Sequence, residues 1–582
     1  MDARTNLDPV TFSVIWGGLV SASAEMGVTL TRTAYSSAVR EGTDFSTGMF
    51  DAQGNMVSQG DYSPGHLGSM AYTVRKMLEY YPASELAPGD AIICNDPGIG
   101  SGHLPDVFMV TPAYHDGELI GFAVNIAHQI DIGGSGAGSQ VVDGVIDNYQ
   151  EGIRFLPTRL YRRGEPDDAI FRIIAANVRV PEVIGDIRAQ YIANQAGVAR
   201  LQALARTYGT PTLRQGMRDL IERSAEQMRA AIGELKQGTY HFEDYLDDVG
   251  PDTEPVLAKV AVTIADGHVS VDWTGSGPQR EAGLNAYLAY TNAYSIASVK
   301  SITLPLLPQN AGVISTISTT APEGCFFNPR RPAPCGGRAT VSHRIYEVIM
   351  GALAQAAPQR VIAANSHFFN PNIGIADPRN DRMSIVWESI IGGVGARYGA
   401  DGVEALASPW NGTNMPAELQ EINCPILVER LELITDSAGA GRWRGGSGIR
   451  KDMRMLASDG NFYNLGDRHK YQPYGLAGGA PGRLGTTLLN PDTPGERLLH
   501  SKGNYRLAEG DVISWRTAGA GGYGNPLERD PQAVLSDVIA GFVSIEKASG
   551  QYGVVIKDDP PRVDIEATRT LRAERVETQA SV

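Results

Sequence analysis

The segment from residue 107 to residue 127 constrains the fold most, because it has the pattern of two β-strands joined by a tight turn. Residues 107–114 and 119–127 are apolar runs, and His115-Asp116-Gly117 between them is typical of a hairpin turn. The same pattern, H-x-x-D, stands at both outer ends: residues 103–106 precede the first strand and residues 128–131 follow the second. A hairpin returns the chain to its starting point, so we expect the two patterns to meet.

The two H-x-x-D patterns contain the ligand types of a divalent cation site. Imidazole and carboxylate are ligands that borderline and hard divalent cations share. We therefore predict His103, Asp106 and His128 as ligands, with Asp131 as a fourth ligand or as a carboxylate that orients an imidazole. The alternative is that these are turn residues of a glycine-rich loop. Zn²⁺, Mn²⁺ and Fe²⁺ all accept such a set, so the residues leave the metal's identity open.

Three polar residues upstream are further candidates for the site. Asp44 would complete the coordination sphere as an added oxygen ligand; the alternative is a capping aspartate. Glu41 is a similar candidate for a ligand or a base. His66 follows a proline and a glycine, and its alternatives are a substrate contact or a loop histidine satisfied by the backbone. Together with Asp131, Glu41 and His66 form the predicted catalytic set.

Charge and composition exclude several classes of protein. A formal net charge of −15 disfavours nucleic acid as a partner, since phosphate binding needs a basic surface. The sequence has no run of about 20 apolar residues, so it predicts no membrane span. Residues 1–9 lack the pattern of a signal peptide. The cytoplasm is therefore the expected location. The 4 cysteines form no C-x-x-C, which argues against a disulfide scaffold and a zinc ribbon.

The order of elements predicts a large mixed α+β protein of antiparallel sheets and helices, with a glycine-rich, β-like C-terminal region. Helical periodicity covers residues 183–208 and 212–236, and a strand-rich stretch opens at Gly238. The predicted regions are 1–237, an α+β region with the metal site; 238–424, a second α+β region; 425–529, the glycine-rich region; and 530–582, a helical tail.

Glycine runs at 445–448 and 519–524 could form a phosphate-binding loop. Neither run matches G-x-x-x-x-G-K-[ST], and no Walker motif occurs anywhere in the chain. The alternative, glycine-rich turns at strand ends, is favoured. If ATP takes part in the function, we expect another subunit to bind it.

Longer motifs follow one another along nearly the whole chain. They are REGTDFS at 40–46, GHLGSM at 65–70, NDP at 95–97, GHLPDV at 102–107, AHQIDIGG at 127–134, EGI at 151–153, WE at 387–388 with GG at 392–393, RGG at 444–446 and GGYGNPLER at 521–529. In this order they resemble the hydantoinase B/oxoprolinase family. That family comprises the B-type subunits of ATP-dependent hydantoinases, 5-oxoprolinases and acetone- or acetophenone-type carboxylases.

The resemblance implies a function and a partner. In the family's metal-dependent carboxylases, the residues matching His103, Asp106 and His128 look like the manganese ligands. The resemblance implies an A-type subunit with an actin- or hexokinase-like fold that binds ATP and phosphorylates the amide oxygen of a cyclic amide. This chain would then hydrolyse the activated amide with water made reactive by one divalent ion (Zn, Mn or Fe). We therefore predict the metal-containing subunit of an ATP-dependent hydantoinase, lactamase or 5-oxoprolinase.

Two alternatives remain at this point. One is a subunit of a ketone carboxylase, although such chains tend to be longer; the other is a non-catalytic scaffold for the ATPase. Departures from the family pattern occur at Gly98, where an aromatic residue is usual, at Gln129, where a second histidine is common, and at Gly519-Ala520. We expect such positions to line the substrate pocket, so they leave the substrate, a small cyclic amide or a ketone, open.

Overall fold

A computed structural model describes residues 7–60 and 62–580, apart from the side chains of 578–580. The prediction about a signal peptide therefore falls largely on residues outside the described part. The described α-helices are α1 (Pro9–Thr33), α2 (Ser37–Arg40), α3 (Pro64–Tyr80), α4 (Asp168–Asn177), α5 (Glu182–Tyr208), α6 (Thr210–Gly233), α7 (Leu288–Thr303), α8 (Ala311–Ile314), α9 (Val341–Leu353), α10 (Ala417–Asn423), α11 (Pro531–Ile539), α12 (Ile545–Tyr552) and α13 (Ile565–Ala580).

The strands are arranged in mostly antiparallel sheets, which confirms the predicted fold class. The described strands are β1 (Phe45–Phe50), β2 (Met56–Gln59), β3 (Ala91–Cys94), β4 (Asp106–His115), β5 (Glu118–His128), β6 (Thr158–Arg162), β7 (Glu165–Pro166), β8 (Gly238–Leu246), β9 (Val256–Ala265), β10 (His268–Asp272), β11 (Ile317–Thr320), β12 (Phe368–Phe369), β13 (Asn372–Asp377), β14 (Arg382–Trp387), β15 (Ile390–Ile391), β16 (Ile426–Leu433), β17 (Ile449–Met455), β18 (Gly460–Leu465), β19 (Thr486–Leu489), β20 (Arg497–Leu499), β21 (Lys502–Leu507), β22 (Val512–Arg516), β23 (Ile556–Asp558) and β24 (Pro561–Val563). A seven-stranded sheet has the order β2-β1-β5-β4-β3-β6-β7, and smaller sheets follow along the chain.

The hairpin β4–β5 forms as predicted, at the centre of the seven-stranded sheet. Its turn residues Asp116 and Gly117 have φ angles of 49° and 80°, the left-handed backbone that a tight hairpin turn requires. Asp106, the first residue of β4, lies directly opposite His128, the last residue of β5. Strand pairing therefore brings one residue from each H-x-x-D pattern into contact.

Helix α5 packs on this hairpin through buried amide side chains as well as apolar ones. Gln190 donates to the carbonyl of Val107 at 2.7 Å, and Asn194 donates to the carbonyl of Met109 at 3.0 Å. Both side chains also bond Asn125 of β5 at 2.8 Å. Because buried polar groups need partners, these bonds fix the helix in one register against the strands that carry the site.

Helix α1 is long and apolar enough to cross a membrane, and it is the only described helix that meets this criterion. The sequence expectation of no such segment therefore has one exception. Phe12, Ile15, Leu19, Met26 and Leu30 form a buried stripe along α1. The first four of these residues join a cluster of apolar side chains from β1, β5, α5 and α6, and Leu30 joins a second cluster with β1, β5 and α5. One face of α1 therefore packs in the core.

Helix α9 is fixed to the C-terminal half by buried charges. Arg344 donates to Asp467 at 2.8 Å and also bonds Asp244, and Arg468 bonds Glu347. The guanidiniums of Arg344 and Arg468 are fully buried. Removing one partner of such a network leaves the other buried charges uncompensated, which is costly. The network therefore fixes the position of α9 and of the residues before it.

The glycine runs of the C-terminal half serve close backbone packing. A Cβ on Gly445 would lie 2.1 Å from the carbonyl oxygen of Ala520, and one on Gly519 would lie 1.7 Å from that of Ser437. Both distances are far below van der Waals contact. These glycines are therefore explained by the close approach of backbone segments to one another. Gly519-Ala520, which departs from the family pattern, lies within this close packing.

Candidate metal centre

His103, Asp106 and His128 form one buried cluster. One ligand atom from each lies within 4.8 Å of the others, and all three side chains are buried. The Nε2 atom of His103 is 3.0 Å from Oδ1 of Asp106, and the two imidazole rings are 5.1 Å apart. Strand pairing places Asp106 and His128, while the glycine-rich loop before β4 brings His103 over them. The predicted meeting of these three residues is present in the structure.

The free atoms of this cluster match the needs of a cation. His103 Nε2, Asp106 Oδ1 and His128 Nδ1 are buried and have no hydrogen-bond partner outside the cluster among the described residues; within it, the first two lie 3.0 Å apart. The other nitrogen of each ring is engaged: His103 Nδ1 donates to the carbonyl of Gly336 at 2.9 Å, and His128 Nε2 lies 2.8 Å from the amide nitrogen of Gln140, a donor. Metal-binding histidines usually donate from their second nitrogen to an acceptor, as His103 does. Two imidazoles and a carboxylate are a donor set that fits a divalent ion.

The protonation states also suit metal binding. Burial, followed by the Arg338 charge, lowers the pKa of His103, and burial with the nearby His103 lowers the pKa of His128 to about 3. Burial alone would raise the pKa of Asp106, but the interactions with His103 and with the Arg338 guanidinium outweigh it and hold that pKa well below its usual range. Neutral imidazoles and an ionised carboxylate are the forms that bind metals.

Asp44 and His66 lie at the edge of the same cluster. His66 stands in the first turn of α3, so the alternative of a loop histidine does not hold, and its Nε2 is 3.7 Å from Asp44 and 3.4 Å from Asp106. Burial raises the pKa of Asp44 to about 6 against the opposing effect of His66. Both residues line the cavity beside the cluster, so the structure brings them to the predicted site.

Asp131 and Glu41 lie elsewhere. The Asp131 carboxylate accepts hydrogen bonds from the backbone of Gly133 at 3.1 Å and from the backbone and guanidinium of Arg179 at 2.8 and 2.9 Å. Glu41 lines a separate cavity of about 520 Å³. The structure therefore does not bring the predicted catalytic set of Asp131, Glu41 and His66 together: Asp131 has its partners in its own loop and in Arg179, and Glu41 lines another cavity.

The cavity beside the cluster also contains residues that the sequence did not single out. The Arg338 guanidinium bonds Asp106 and stacks over the ring of Tyr290 at 4.0 Å. Trp387 lies 5.8 Å from the His128 ring, and Trp410 and Tyr294 also line the cavity. Trp387 stood in the WE motif without an assigned role. No local pattern marked Arg338, which follows a short glycine pair just before α9.

Glu151 reaches the cluster through the backbone. Its Oε1 accepts from the backbone N–H of Cys335 at 2.7 Å and of Gly336 at 2.5 Å. The carbonyl of the same Gly336 accepts from His103 Nδ1. Burial raises the pKa of Glu151 to about 7 in spite of these donors. The EGI motif therefore contains a carboxylate that holds the loop on which a candidate ligand rests.

The positions that depart from the family pattern lie away from the cavity lining, contrary to expectation. A Cβ on Gly98 would lie 2.5 Å from the Arg331 guanidinium, so that side chain fills the space. Gln129 turns toward α5, where it donates to Gln190 at 3.2 Å. Neither residue lines the cavity, so neither departure informs the choice of substrate.

Comparison with known proteins identifies the family. The model of the hydantoinase B/oxoprolinase family matches residues 8–526. This chain belongs to the hydantoinase B/oxoprolinase family. A protein of Pseudomonas sp. (strain NS671), named as the B-type subunit of a D-/L-hydantoinase, is 34% identical over 97% of this chain and 98% of its own length. The family resemblance drawn from the motifs is confirmed.

Solved structures agree with this assignment. The crystal structure of the ATP-dependent caprolactamase from Pseudomonas jessenii matches with a TM-score of 0.91 and 30% identity, over 97% of this chain and 100% of that chain. A nucleotide-free acetone carboxylase structure matches with a TM-score of 0.90 and 20% identity, over 99% of this chain and 84% of that chain. The second likeness is a likeness of fold.

Proposed function

We propose that this chain is the metal-containing B-type subunit of an ATP-dependent cyclic-amide hydrolase of the hydantoinase, lactamase or 5-oxoprolinase type. Its partner is an A-type ATPase subunit that phosphorylates the substrate. The observation that carries the proposal is the buried cluster of His103, Asp106 and His128, in which one ligand atom of each residue lies within 4.8 Å of the others. The subunit name of the hydantoinase relative and the ATP dependence of the caprolactamase support the rest.

The proposed chemistry begins with a stable amide. An unstrained lactam resists hydrolysis. Phosphorylation of its oxygen makes the carbonyl carbon more electrophilic and turns that oxygen into part of a good leaving group, phosphate. Water then adds to that carbon, and the ring C–N bond of the tetrahedral adduct breaks as its nitrogen takes up a proton. The resulting acyl phosphate is hydrolysed by a second water to the carboxylate and free phosphate. When bound, a divalent ion supplies the Lewis acidity that makes water a nucleophile at neutral pH.

Residues of this chain have separate roles in the proposal. His103, Asp106 and His128 hold the ion, and Asp44, which lines the same cavity, is a further ligand. His66 accepts and returns a proton at Nε2, the atom that faces both Asp44 and Asp106. The aromatic side chains of the lining exclude bulk water from the activated substrate.

A reconstitution with both subunits tests the function. The chain and its A-type partner are incubated with ATP and either a cyclic amide (hydantoin, caprolactam or 5-oxoproline) or acetone with bicarbonate, and phosphate and product are measured. We expect a ring-opened product that depends on ATP and vanishes in His103→Ala. His115→Ala, a histidine at the far end of the same hairpin, is the matched control and should retain turnover.

Two results would contradict the proposal. Carboxylated ketone without any ring-opened amide would assign the chain to the carboxylases. Full amide hydrolysis by His103→Ala would remove the proposed site. Nucleotide binding by the A-type subunit, measured in parallel, shows that the partner is intact in each mixture.

A further inference from the structure

The cavity beside the metal ligands is lined by residues with two chemically different sets of buried polar atoms. One set belongs to the candidate metal ligands and to His66. The other set consists of N–H donors: Nε of Arg338 and the indole Nε1 of Trp387 and of Trp410 have no hydrogen-bond partner among the described residues, and all three residues line the cavity. A buried donor without a partner is costly and calls for an explanation. Three such donors in one lining indicate an acceptor-rich ligand.

The charges of the lining point the same way. Three residues of the Asp, Glu, Lys and Arg types line the cavity: the carboxylates Asp44 and Asp106 and the guanidinium Arg338. With a divalent ion in place and both carboxylates ionised, the cavity carries one net positive charge. A buried net charge is unfavourable unless it is paired. An anion next to the ion would pair it.

Arg338 has the geometry of a preformed anion ligand. It is buried, it is stacked over Tyr290 at 4.0 Å, and one of its terminal nitrogens bonds both Asp106 and, at 3.3 Å, Ser101. These contacts fix the plane of the guanidinium while Nε stays free. A fixed guanidinium suits phosphate better than an ammonium group does, because its donors form a planar fork.

We propose that Arg338, with the indole N–H groups of Trp387 and Trp410, forms an anion subsite that holds the phosphoryl group of the activated substrate beside the metal ligands. This inference rests on the proposed function, because it names where the phosphorylated amide binds. It assigns Arg338 as a residue that contacts substrate, in addition to its contact with Asp106.

The size of the cavity sets a condition on binding. Its volume of about 30 Å³ holds little more than one water, so a phosphoryl group requires a side chain to move. Trp410 is only partly buried and lies in the irregular segment between β15 and α10, where it packs on Phe368 at 4.5 Å. We therefore expect Trp410 to shift when the anion enters, which should change its fluorescence.

Calorimetric titration of the metal-loaded chain with inorganic phosphate tests the subsite without ATP or the partner. We expect saturable binding that weakens about 10- to 100-fold in Arg338→Met, since a hydrogen bond to a charged group is lost. Arg338→Lys should recover part of the affinity. Arg331→Gln, a nearby half-exposed arginine outside the lining, is the matched control and should bind like the wild type.

Metal content and the unfolding midpoint are measured for each variant, so that loss of the ion is separated from loss of the anion. If Arg338→Met takes up less metal, phosphate binding is compared between Arg338→Lys and the wild type at saturating metal. Weaker phosphate binding by Arg338→Lys supports the subsite, and binding equal to that of the wild type overturns it. A wild-type protein that binds metal but no phosphate would also overturn it. The phosphate-induced fluorescence change should disappear in Trp410→Phe, and its persistence would remove Trp410 from the subsite.

The outcomes are independent of the reconstitution experiment. Phosphate binding that depends on Arg338 can be present even if no cyclic amide is hydrolysed, in which case the proposed function fails and the subsite stands. Hydrolysis at wild-type rate by Arg338→Met would leave the proposed function intact and refute the subsite.

Discussion

Replacing Glu151 with alanine should weaken metal binding, although Glu151 contacts none of the candidate ligands directly. Its carboxylate holds the backbone N–H groups of Cys335 and Gly336, and the Gly336 carbonyl in turn accepts from His103 Nδ1 at 2.9 Å. Without the carboxylate this loop loses its anchor, and the His103 ring loses the partner that fixes its orientation. Glu151→Gln retains an oxygen at the same place and should preserve the arrangement.

The expected magnitudes follow from the number of bonds removed. Outer partners of metal ligands are worth about 10- to 100-fold in metal affinity, so Glu151→Ala should lose that much. Two buried N–H groups left without an acceptor cost about 1–3 kcal/mol each, which lowers the free energy of unfolding by about 2–6 kcal/mol. Glu151→Gln should stay within a few-fold of the wild-type metal affinity.

The pH dependence of stability should separate Glu151→Gln from the wild type. Burial raises the pKa of Glu151 to about 7, from the ordinary glutamate value of 4.5. A raised pKa means that the folded protein binds the proton more tightly, so the wild type loses stability relative to the glutamine variant as pH rises from about 4.5 to about 7. The full difference is about 3 kcal/mol.

Zinc affinity is measured by competition with a fluorescent chelator, and unfolding by denaturant titration at pH 5 and pH 8. Glu165→Ala, an exposed glutamate of β7, is the control and should match the wild type in both. Unchanged zinc affinity in a folded Glu151→Ala would refute the orientation argument. A relative stability of Glu151→Gln that falls as pH rises would refute the sign of the pKa shift.

Three further predictions concern stability. Arg344→Met should lower the free energy of unfolding by about 3–5 kcal/mol, since it leaves buried carboxylates without their partner. Arg360→Met, at an exposed ion pair, should change it by at most about 1 kcal/mol. Denaturant titration compares the two variants. Phe108→Ala in the buried hairpin should cost about 3–5 kcal/mol in the same assay. Free zinc at 100 times its dissociation constant should add about 2.7 kcal/mol of stability, seen as a raised midpoint that a chelator reverses and His128→Ala lacks.

The hairpin and the three central ligands could be predicted from sequence because their determinants are local. Apolar runs, a turn ending in glycine and two H-x-x-D patterns all lie within 29 residues of one another. Asp131 belongs to the second H-x-x-D pattern, but β5 ends at His128, before Asp131. The Asp131 carboxylate bonds Arg179 instead of the cluster. A repeated motif therefore predicted proximity of the two patterns but not the direction of every side chain.

The rest of the site depends on contacts between distant parts of the chain. Arg338 meets Asp106 across 232 residues, and Glu151 meets Cys335 across 184. Such pairings follow from how the sheets and α9 pack, which no local periodicity encodes. A loop position was one alternative for His66 because of the proline and glycine before it. In the structure that proline opens α3, a position that its fixed φ angle favours.

The central claim is that His103, Asp106 and His128 together hold one divalent ion. Elemental analysis of the purified chain, compared with the double variant His103→Ala/His128→Ala, tests it most directly. We predict about one transition-metal or zinc ion per wild-type chain and almost none in the double variant, with both proteins folded by circular dichroism. A metal-free wild-type chain that takes up no added zinc, manganese or iron, or a double variant with undiminished metal content, would contradict the account.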